Sequence, residues 1–322
     1  MADMESICAR LCLLTSAAWK DEFPPPFMRS NVHRMIRLGA LSGLTLRSVP
    51  GIKDEYYMRA QKLLARSAEV YDAVVHCRAQ GYDVILPEDD EWPINLCALG
   101  VQMPQFLFVR GNRSLLNRRT VAVAGSREIE ESTLGIARNI GREIAQAGTA
   151  LVCGGAWGVD TAAQSACLEA GGSFILVPAY PCRELLRQAY LRNALQNDNL
   201  LIVCDAWPEE DFSARKALTR NHTIYALGDA AIAVAARKEM GGTWRGALDC
   251  LRGDIRLFLP SMSRGLISRG PGLCCHMALG RWIFLARSLC SYLTRRRAYA
   301  DKYARHPNTG GSAFSWLAWN AC

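Results

Sequence analysis

Residues Thr120–Pro178 narrow the choice of fold more than any other part of this chain. They contain three short apolar runs, at Val121–Ala124, Ala150–Cys153 and Ser173–Val177, separated by two longer segments with helical spacing. Each run has the length of a strand and is rich in Val, Ile, Leu or Ala. Such runs alternating with helices are typical of βαβ units around a buried parallel sheet.

The same alternation continues beyond this stretch. Three more apolar runs, at Leu200–Cys204, Ala230–Ala236 and Ile255–Pro260, have the pattern of buried strands. Between the first strands, the spacing predicts helices over roughly Glu131–Ala147 and Asp160–Ala170. We therefore expect an α/β protein with a doubly wound, mostly parallel sheet and helices on both faces.

Turns of small residues follow several predicted strands. Gly125–Arg127 follows the first strand, Gly154–Gly158 the second, and Glu239–Thr243 the strand at Ala230–Ala236. Ligands of open α/β sheets bind at the carboxyl ends of strands, where such turns let backbone N–H groups approach a phosphate. The first turn lacks the GxGxxG spacing and no acidic residue ends the second strand, which argues against a NAD-dependent dehydrogenase.

A local basic cluster lies in the segment Phe212–Leu227. Arg215, Lys216 and Arg220 occur there, with Phe212 beside them. A groove for single-stranded nucleic acid combines charges that follow the backbone with a ring that stacks on a base. The alternative is an ordinary solvated helix face.

The net charge of +8 is concentrated at one end of the chain. Met262–Cys322 holds nine Lys and Arg residues and one Asp, and the other residues hold 29 basic and 29 acidic side chains. The body is therefore not a general polyanion binder by composition, and a nucleic-acid site on it must be a local cluster.

The pattern divides the chain into four parts. Residues 1–75 predict a small helical domain, in which the Pro-Gly turn within Leu46–Leu64 resembles a helix-hairpin-helix (SAM-like) element that would present N–H groups to a nucleic-acid phosphate. A plain packing unit of helices is the alternative. Residues 76–119 form a connection with short strands at Gly81–Leu86 and Pro104–Gly111, residues 120–261 the core, and residues 262–322 a basic tail without an assignable fold.

The thirteen cysteines do not form a CxxC pair or a Cys/His array with zinc spacing. We expect free thiols in a reducing cytoplasm, with no metal site and no signal peptide. The most apolar window, Leu273–Leu293, carries His276, Arg281 and Arg287, so we expect no membrane span.

Four segments, in this order, resemble the DprA/Smf family of DNA-processing proteins. They read YDVILPEDDEWPINLCALGVQMPQFLFVRGN, VAVAGSR, CGGAWGVDTAAQSACLEAGGSFILVP and TRNHTIYALGDAAIAVAARKEMGGT. The resemblance covers about Gly81–Gly270. It implies a Rossmann-like domain that binds single-stranded DNA without sequence preference, usually as a homodimer.

The resemblance also implies a biological role. Members of the family protect incoming DNA during natural transformation and hand it to a RecA-type recombinase in DNA recombination. No catalytic chemistry is attributed to the family, so we expect a competence protein that is not an enzyme and needs no cofactor.

Residues that would contact the DNA follow from the matching motifs. Arg127 would neutralise a phosphate, which a guanidinium can do with two bonds, and Asp160 would cap the helix after the second turn. The full expected set of nucleic-acid and phosphate contacts is Gly125, Ser126, Arg127, Gly154, Gly155, Gly158, Asp160, Phe212, Lys216, Arg220, Asn221, Gly241, Gly242 and Thr243.

Four residues depart from the family pattern and indicate a divergent member: Cys153, Trp157, Gln164 and His222. Two alternatives to DNA binding therefore stay open. One is a nucleotide-binding or LOG-like phosphoribohydrolase domain, since Gly241–Thr243 is similar to the turn of those enzymes, although no convincing acid/base pair accompanies it. The other is a degenerate relative that no longer binds.

Overall fold

The structure is a computed structural model. In the residues that it describes, nine strands form one sheet. Described are residues 3–15, 23–37, 53–127, 130–235, 243 and 246, together with the backbone of residues 256–260 and 274–277. All of these belong to one unit, Met1–Trp282, and the second unit, Ile283–Cys322, lies outside the described residues.

The strands follow the apolar runs of the sequence. They are β1 (Asp83–Ile85), β2 (Leu107–Gly111), β3 (Thr120–Gly125), β4 (Ala150–Cys153), β5 (Phe174–Leu176), β6 (Leu200–Cys204), β7 (Ala230–Val234), β8 (Arg256–Pro260) and β9 (Cys274–Met277). The sheet order is β1-β2-β6-β5-β4-β3-β7-β8-β9. Neighbouring strands are parallel from β6 through to β9, whereas β1 pairs antiparallel with β2 and β2 antiparallel with β6. The expected α/β class with a mostly parallel sheet is confirmed.

Helices precede the sheet and alternate with its strands. Within the described residues they are α1 (Met4–Leu14), α2 (Arg29–Arg37), α3 (Asp54–Leu64), α4 (Ser67–Ala79), α5 (Glu131–Gln146), α6 (Val159–Glu169), α7 (Cys182–Leu185), α8 (Ala189–Gln196) and α9 (Ala214–Leu227). The first four confirm a helical N-terminal part. The Pro-Gly turn expected to form a helical hairpin, Pro50-Gly51, lies outside the described residues.

The central strands are buried along their whole length. Every residue of β4, β6 and β7 is buried, as a parallel sheet covered on both faces requires. Ile224 and Leu227 of α9 join the same apolar core as Ala122 of β3 and Val152 of β4. This packing fixes α9 against the strands whose carboxyl ends carry the glycine-containing turns.

The order of the strands reverses between β3 and β7. From β3 the chain adds β4, β5 and β6 on one side and then returns to place β7 on the other side of β3. The loops that leave two adjacent strands in opposite directions open a crevice at their carboxyl ends, and ligands of open α/β sheets bind in such crevices. The turn Gly125–Arg127 lies at this point of the fold.

The segment expected to be a connection extends the sheet. Its two strands, β1 and β2, form an antiparallel edge that pairs with β6. The division of the chain at residues 75, 119 and 261 stays a prediction. The strand β9, Cys274–Met277, lies in the segment to which the sequence pattern assigned no fold.

Two glycines of α5 predict opposite effects on stability. Gly135 has open space where a Cβ would lie, whereas a Cβ on Gly141 would lie 2.1 Å from the carbonyl oxygen of Ala163 in α6. Gly135→Ala is expected to raise the free energy of unfolding by about 1 kcal/mol through helix propensity. Gly141→Ala is expected to lower it by about 1–3 kcal/mol, because the backbones of α5 and α6 must separate.

Urea denaturation of the two variants and of the wild-type protein measures both effects. The same substitution is made twice in one helix, so its intrinsic propensity term is common to both variants. Equal shifts of the two midpoints would contradict the close packing of α5 on α6.

Candidate phosphate-binding site

The turn after β4, Gly154–Gly158 (the β4 turn), is held in place by a carboxylate. Oδ2 of Asp160 accepts hydrogen bonds from the backbone N–H groups of Gly154 (3.0 Å) and Ala156 (3.2 Å). Gly155 and Gly158 have φ values of 68° and 99°, in the left-handed region that glycine adopts without steric cost. The carboxylate and the two glycine conformations together fix the backbone of the β4 turn.

Asp160 does not cap α6, contrary to the expectation from the sequence. The helix begins at Val159 and its N-cap is Gly158. The hydroxyl of Thr161 accepts from the N–H of Gly158 (3.2 Å) and lies 3.1 Å from its carbonyl oxygen. The expectation was wrong because spacing alone does not tell whether a carboxylate in the first turn bonds to its own helix or to the loop before it.

Arg220 of α9 lies against the β4 turn. It is only 3% exposed, and a Cβ on Gly154 would lie 1.4 Å from its Nη1 atom. Gly154 is therefore small because the guanidinium occupies the space that a side chain would need. Nε of Arg220 is buried and has no hydrogen-bond partner among the residues that the structure describes. A buried donor without an acceptor costs free energy.

Two buried carboxylates surround the charge of Arg220. Burial lowers the pKa of the guanidinium, and Asp160 and Asp205 oppose that shift. Burial raises the pKa of Asp160, and of the groups that lower this pKa, Arg220 has the largest effect. Since arginine stays protonated across the physiological range, the β4 turn has a fixed positive charge behind it.

The turn after β3, Gly125–Arg127 (the β3 turn), packs against the β4 turn. A Cβ on Gly125 would lie 2.3 Å from a methyl carbon of Val159, so this glycine lets the start of α6 approach β3. A Cβ on Gly158 would lie 2.7 Å from the carbonyl oxygen of Ser126 and 3.1 Å from Cα of Arg127. The two turns therefore form one continuous surface at the carboxyl edge of the sheet.

Arg127 supplies an exposed charge in front of this surface. Its guanidinium carbon lies 6.0 Å from the ring centroid of Phe212, at the outer limit of the distances at which cation–π contacts form. Phe212 in turn stacks on Tyr180, with 4.6 Å between ring centroids and an interplanar angle of 15°. Arg127 and Phe212, which the sequence placed in one site, are thus brought together.

The other residues that were expected to contact DNA differ in their burial and in their hydrogen-bond partners. Lys216 is half-buried and its Nζ donates to the carbonyl of Glu210 (2.9 Å). Asn221 is half-buried beside Arg220 on α9. The hydroxyl of Thr243 donates to the carbonyl of Gly125 (3.1 Å), so it lies at the end of β3. Gly241 and Gly242 lie outside the described residues.

Two departures from the family pattern contact each other inside the protein. The side-chain nitrogen of Gln164 donates to Sγ of Cys153 (3.0 Å), and its oxygen accepts from the hydroxyl of Tyr190 (3.3 Å). Gln164 and Cys153 are both fully buried. They therefore change the packing beneath the β4 turn and not its outer surface. Trp157 does reach solvent, with 80% of its surface exposed, and His222 of α9 is half-buried.

An ion pair between the N-terminal helices and the sheet was missed by sequence reasoning. Arg29 of α2 contacts Asp205, which follows β6, with 2.8 Å between its nitrogen and Oδ2. Thr223 of α9 donates to the same carboxylate (2.8 Å). An aspartate directly after an apolar strand was the available signal, but its partner lies in a distant helix.

A family comparison agrees with this architecture. A model of the DNA recombination-mediator protein A family matches residues 83–258, which include both turns and α9. The chain belongs to the DNA recombination-mediator protein A family. The resemblance to DprA/Smf proteins that the sequence motifs indicated is thereby confirmed.

Individual members of the DNA recombination-mediator protein A family are related to this chain at low identity. A protein of Mycobacterium tuberculosis (strain H37Rv) named as a DNA processing protein DprA is 27% identical over 239 residues, which cover 68% of this chain. The chain spans 58% of the length of that relative.

Two solved structures of DNA processing protein A are similar to this chain. DprA of Streptococcus pneumoniae has a TM-score of 0.63 at 19% identity and covers 83% of this chain and 89% of its own. DprA of Helicobacter pylori, whose structure concerns its binding of single-stranded DNA, has a TM-score of 0.48 at 22% identity and covers 65% of this chain and 96% of its own. The first of these matches supports the fold.

Among the residues that the structure describes, no helix is long and apolar enough to cross a membrane. In the same residues, no group of three or more His, Cys, Asp or Glu side chains has the arrangement of a metal site.

Proposed function

We propose that this protein binds single-stranded DNA by its phosphate backbone at the surface formed by the β3 and β4 turns. The observation that carries the proposal is Arg220, a guanidinium that is buried against the backbone of the β4 turn at Gly154 and whose Nε has no acceptor in the described part of the chain. Arg127 adds an exposed guanidinium on the adjoining β3 turn. Ligands of open α/β sheets bind where the strand order reverses, as it does between β3 and β7. Two arginines at this place are suited to bind a phosphate, since a guanidinium group binds phosphate oxygens through paired N–H bonds.

The role that we propose is binding and not catalysis. Asp160 is engaged by two backbone N–H groups, and Asp205 by Arg29 and Thr223. Both carboxylates therefore serve to hold the site together, whereas a hydrolase needs a positioned acid or base at the substrate. We propose no cofactor and no metal.

The biological setting that we propose follows the family. The protein would protect incoming strands in natural transformation, deliver them to a RecA-type recombinase, and act as a homodimer in the cytoplasm. Membership in the DNA recombination-mediator protein A family supports this proposal.

Arg127→Ala is expected to weaken binding of a labelled, mixed-sequence single-stranded oligonucleotide by about tenfold, which corresponds to 1.4 kcal/mol. The loss is expected for every sequence, and the slope of log affinity against log salt is expected to fall by about 1, because one phosphate contact is lost. Fluorescence anisotropy at two or more salt concentrations measures both quantities.

Arg142→Ala is the matched control, since Arg142 is an exposed arginine of α5 that contacts Asn139. An equal loss in both variants would indicate only a general charge effect. Displacement of the oligonucleotide by a nucleoside monophosphate would favour the nucleotide-binding alternative. Folded wild-type protein that does not bind the oligonucleotide would overturn the proposal.

A further inference from the structure

Trp157 is the most exposed large apolar side chain near the proposed site. Its exposed fraction is 80%, against 41% for Phe212. It lies in the β4 turn between Ala156, whose N–H is bound by Asp160, and Gly158, which packs on Arg127. Because the backbone of the turn is already fixed, only the two side-chain torsions of the indole lose freedom when a flat partner covers it.

The surroundings of Trp157 favour a nucleobase as that partner. The backbone of the β3 turn, with Arg127, contacts Gly158 next to it. A phosphate bound by Arg127 would bring the base of the same or the next nucleotide to the edge of the β4 turn. Aromatic side chains beside a cationic groove are how proteins hold the bases of single strands without reading their sequence.

The ring of Phe212 is less accessible to a nucleobase than the sequence predicted. One face of its ring is covered by Tyr180, which stacks on it at 4.6 Å, and the guanidinium of Arg127 lies 6.0 Å from its centroid. The ring therefore supports Arg127, whereas the indole of Trp157 is mostly open to solvent.

We propose that Trp157 stacks on a base of the bound strand and thereby makes the site prefer single-stranded DNA to a duplex. Bases of a duplex are already stacked and paired, so they have no face to offer the indole, whereas a single strand can turn a base outward. This inference rests on the proposed DNA binding, because the phosphate contact positions the base.

Affinities for a normal strand and for an abasic strand of the same length test the proposal. The abasic strand keeps its phosphates and lacks its bases. Trp157→Ala is expected to weaken binding of the normal strand by about tenfold, within the range of one base–aromatic stack, and to leave binding of the abasic strand unchanged. Trp157→Phe is expected to keep most of the affinity, and the ratio of single-strand to duplex affinity is expected to fall only in Trp157→Ala.

Tyr71→Ala is the matched control, because Tyr71 is an exposed aromatic residue of α4 at 49%. Equal losses for normal and abasic strands in Trp157→Ala, or no loss for either, would overturn the proposal while DNA binding by the wild-type protein stands. A change of oligomeric state in sedimentation without a change in the normal-to-abasic ratio would also overturn it. Wild-type protein that binds neither strand would refute the proposed function itself.

Discussion

Replacement of Arg29 by alanine is expected to lower the free energy of unfolding by about 3–5 kcal/mol, the cost of removing one partner from a buried ion pair. Arg29 donates to Oδ2 of Asp205 at 2.8 Å and to its backbone carbonyl at 3.3 Å. The side chains are 16% and 5% exposed. Without Arg29, the carboxylate stays buried with the hydroxyl of Thr223 as its remaining described side-chain donor.

The effect of Arg29→Ala depends on pH in a defined direction. Burial alone would raise the pKa of Asp205, but Arg29, Thr223 and the charge of Arg220 together outweigh burial, and the pKa lies below its usual value. A carboxylate with a lowered pKa stabilises the fold above its unfolded pKa, and this stabilisation is lost as the pH falls through the folded pKa. The difference between wild type and variant is therefore expected to be largest near neutral pH and to shrink in acid.

Urea denaturation at neutral and at acidic pH measures both expectations. Arg138→Ala is the control, because Arg138 and Glu131 form an ion pair of which both side chains are exposed at 47% and 76%, and exposed pairs typically contribute no more than about 1 kcal/mol. Similar losses in the two variants would show that the Arg29 contact with Asp205 is no stronger than a surface pair.

The strands and helices of the core could be predicted because their signals are local. Ala150–Cys153 and Leu200–Cys204 are apolar over their whole length, as buried parallel strands are, and their bounds match the structure. The pairing of β2 with β6 could not be predicted in the same way, because Phe108 and Cys204 meet only through the folded topology.

The candidate site was predictable in its position but not in its internal contacts. The alternating pattern predicts parallel strands, whose carboxyl ends share one edge of the sheet, and the structure has Gly125–Arg127 and Gly154–Gly158 at that edge of the adjacent strands β3 and β4. The reason why Gly154 is a glycine depends on Arg220, which reaches it from α9. Local spacing holds no information about such a contact.

The exposure of Trp157 could not be predicted from local spacing either. In the sequence it is a bulky residue in a turn of small ones, and the pattern marks it only as a departure. Its exposure follows from the positive φ of Gly155 and Gly158 and from the hydrogen bonds of Asp160, which together orient the turn. Trp157, which departs from the family pattern, is therefore the side chain that we propose to stack on a base.

Arg220→Lys is expected to weaken binding of single-stranded DNA by about 10–100-fold, since hydrogen bonds to charged groups contribute about 1.5–3 kcal/mol each. Lysine keeps the positive charge between Asp160 and Asp205, so the fold is expected to persist. It does not keep the planar fork of donors that suits a phosphate. Anisotropy with a labelled oligonucleotide measures the affinity, and urea denaturation measures the stability of the same sample.

Gly154→Ala tests the same contact without changing any charge. The added methyl group would lie 1.4 Å from Nη1 of Arg220, so the guanidinium must leave its position. A loss of DNA affinity similar to that of Arg220→Lys, with Gly135→Ala unaffected, would show that the position of this guanidinium matters as well as its charge. Wild-type affinity in both Gly154→Ala and Arg220→Lys would instead assign Arg220 to balancing the two buried carboxylates, and the phosphate would then depend on Arg127 and the backbone of the two turns.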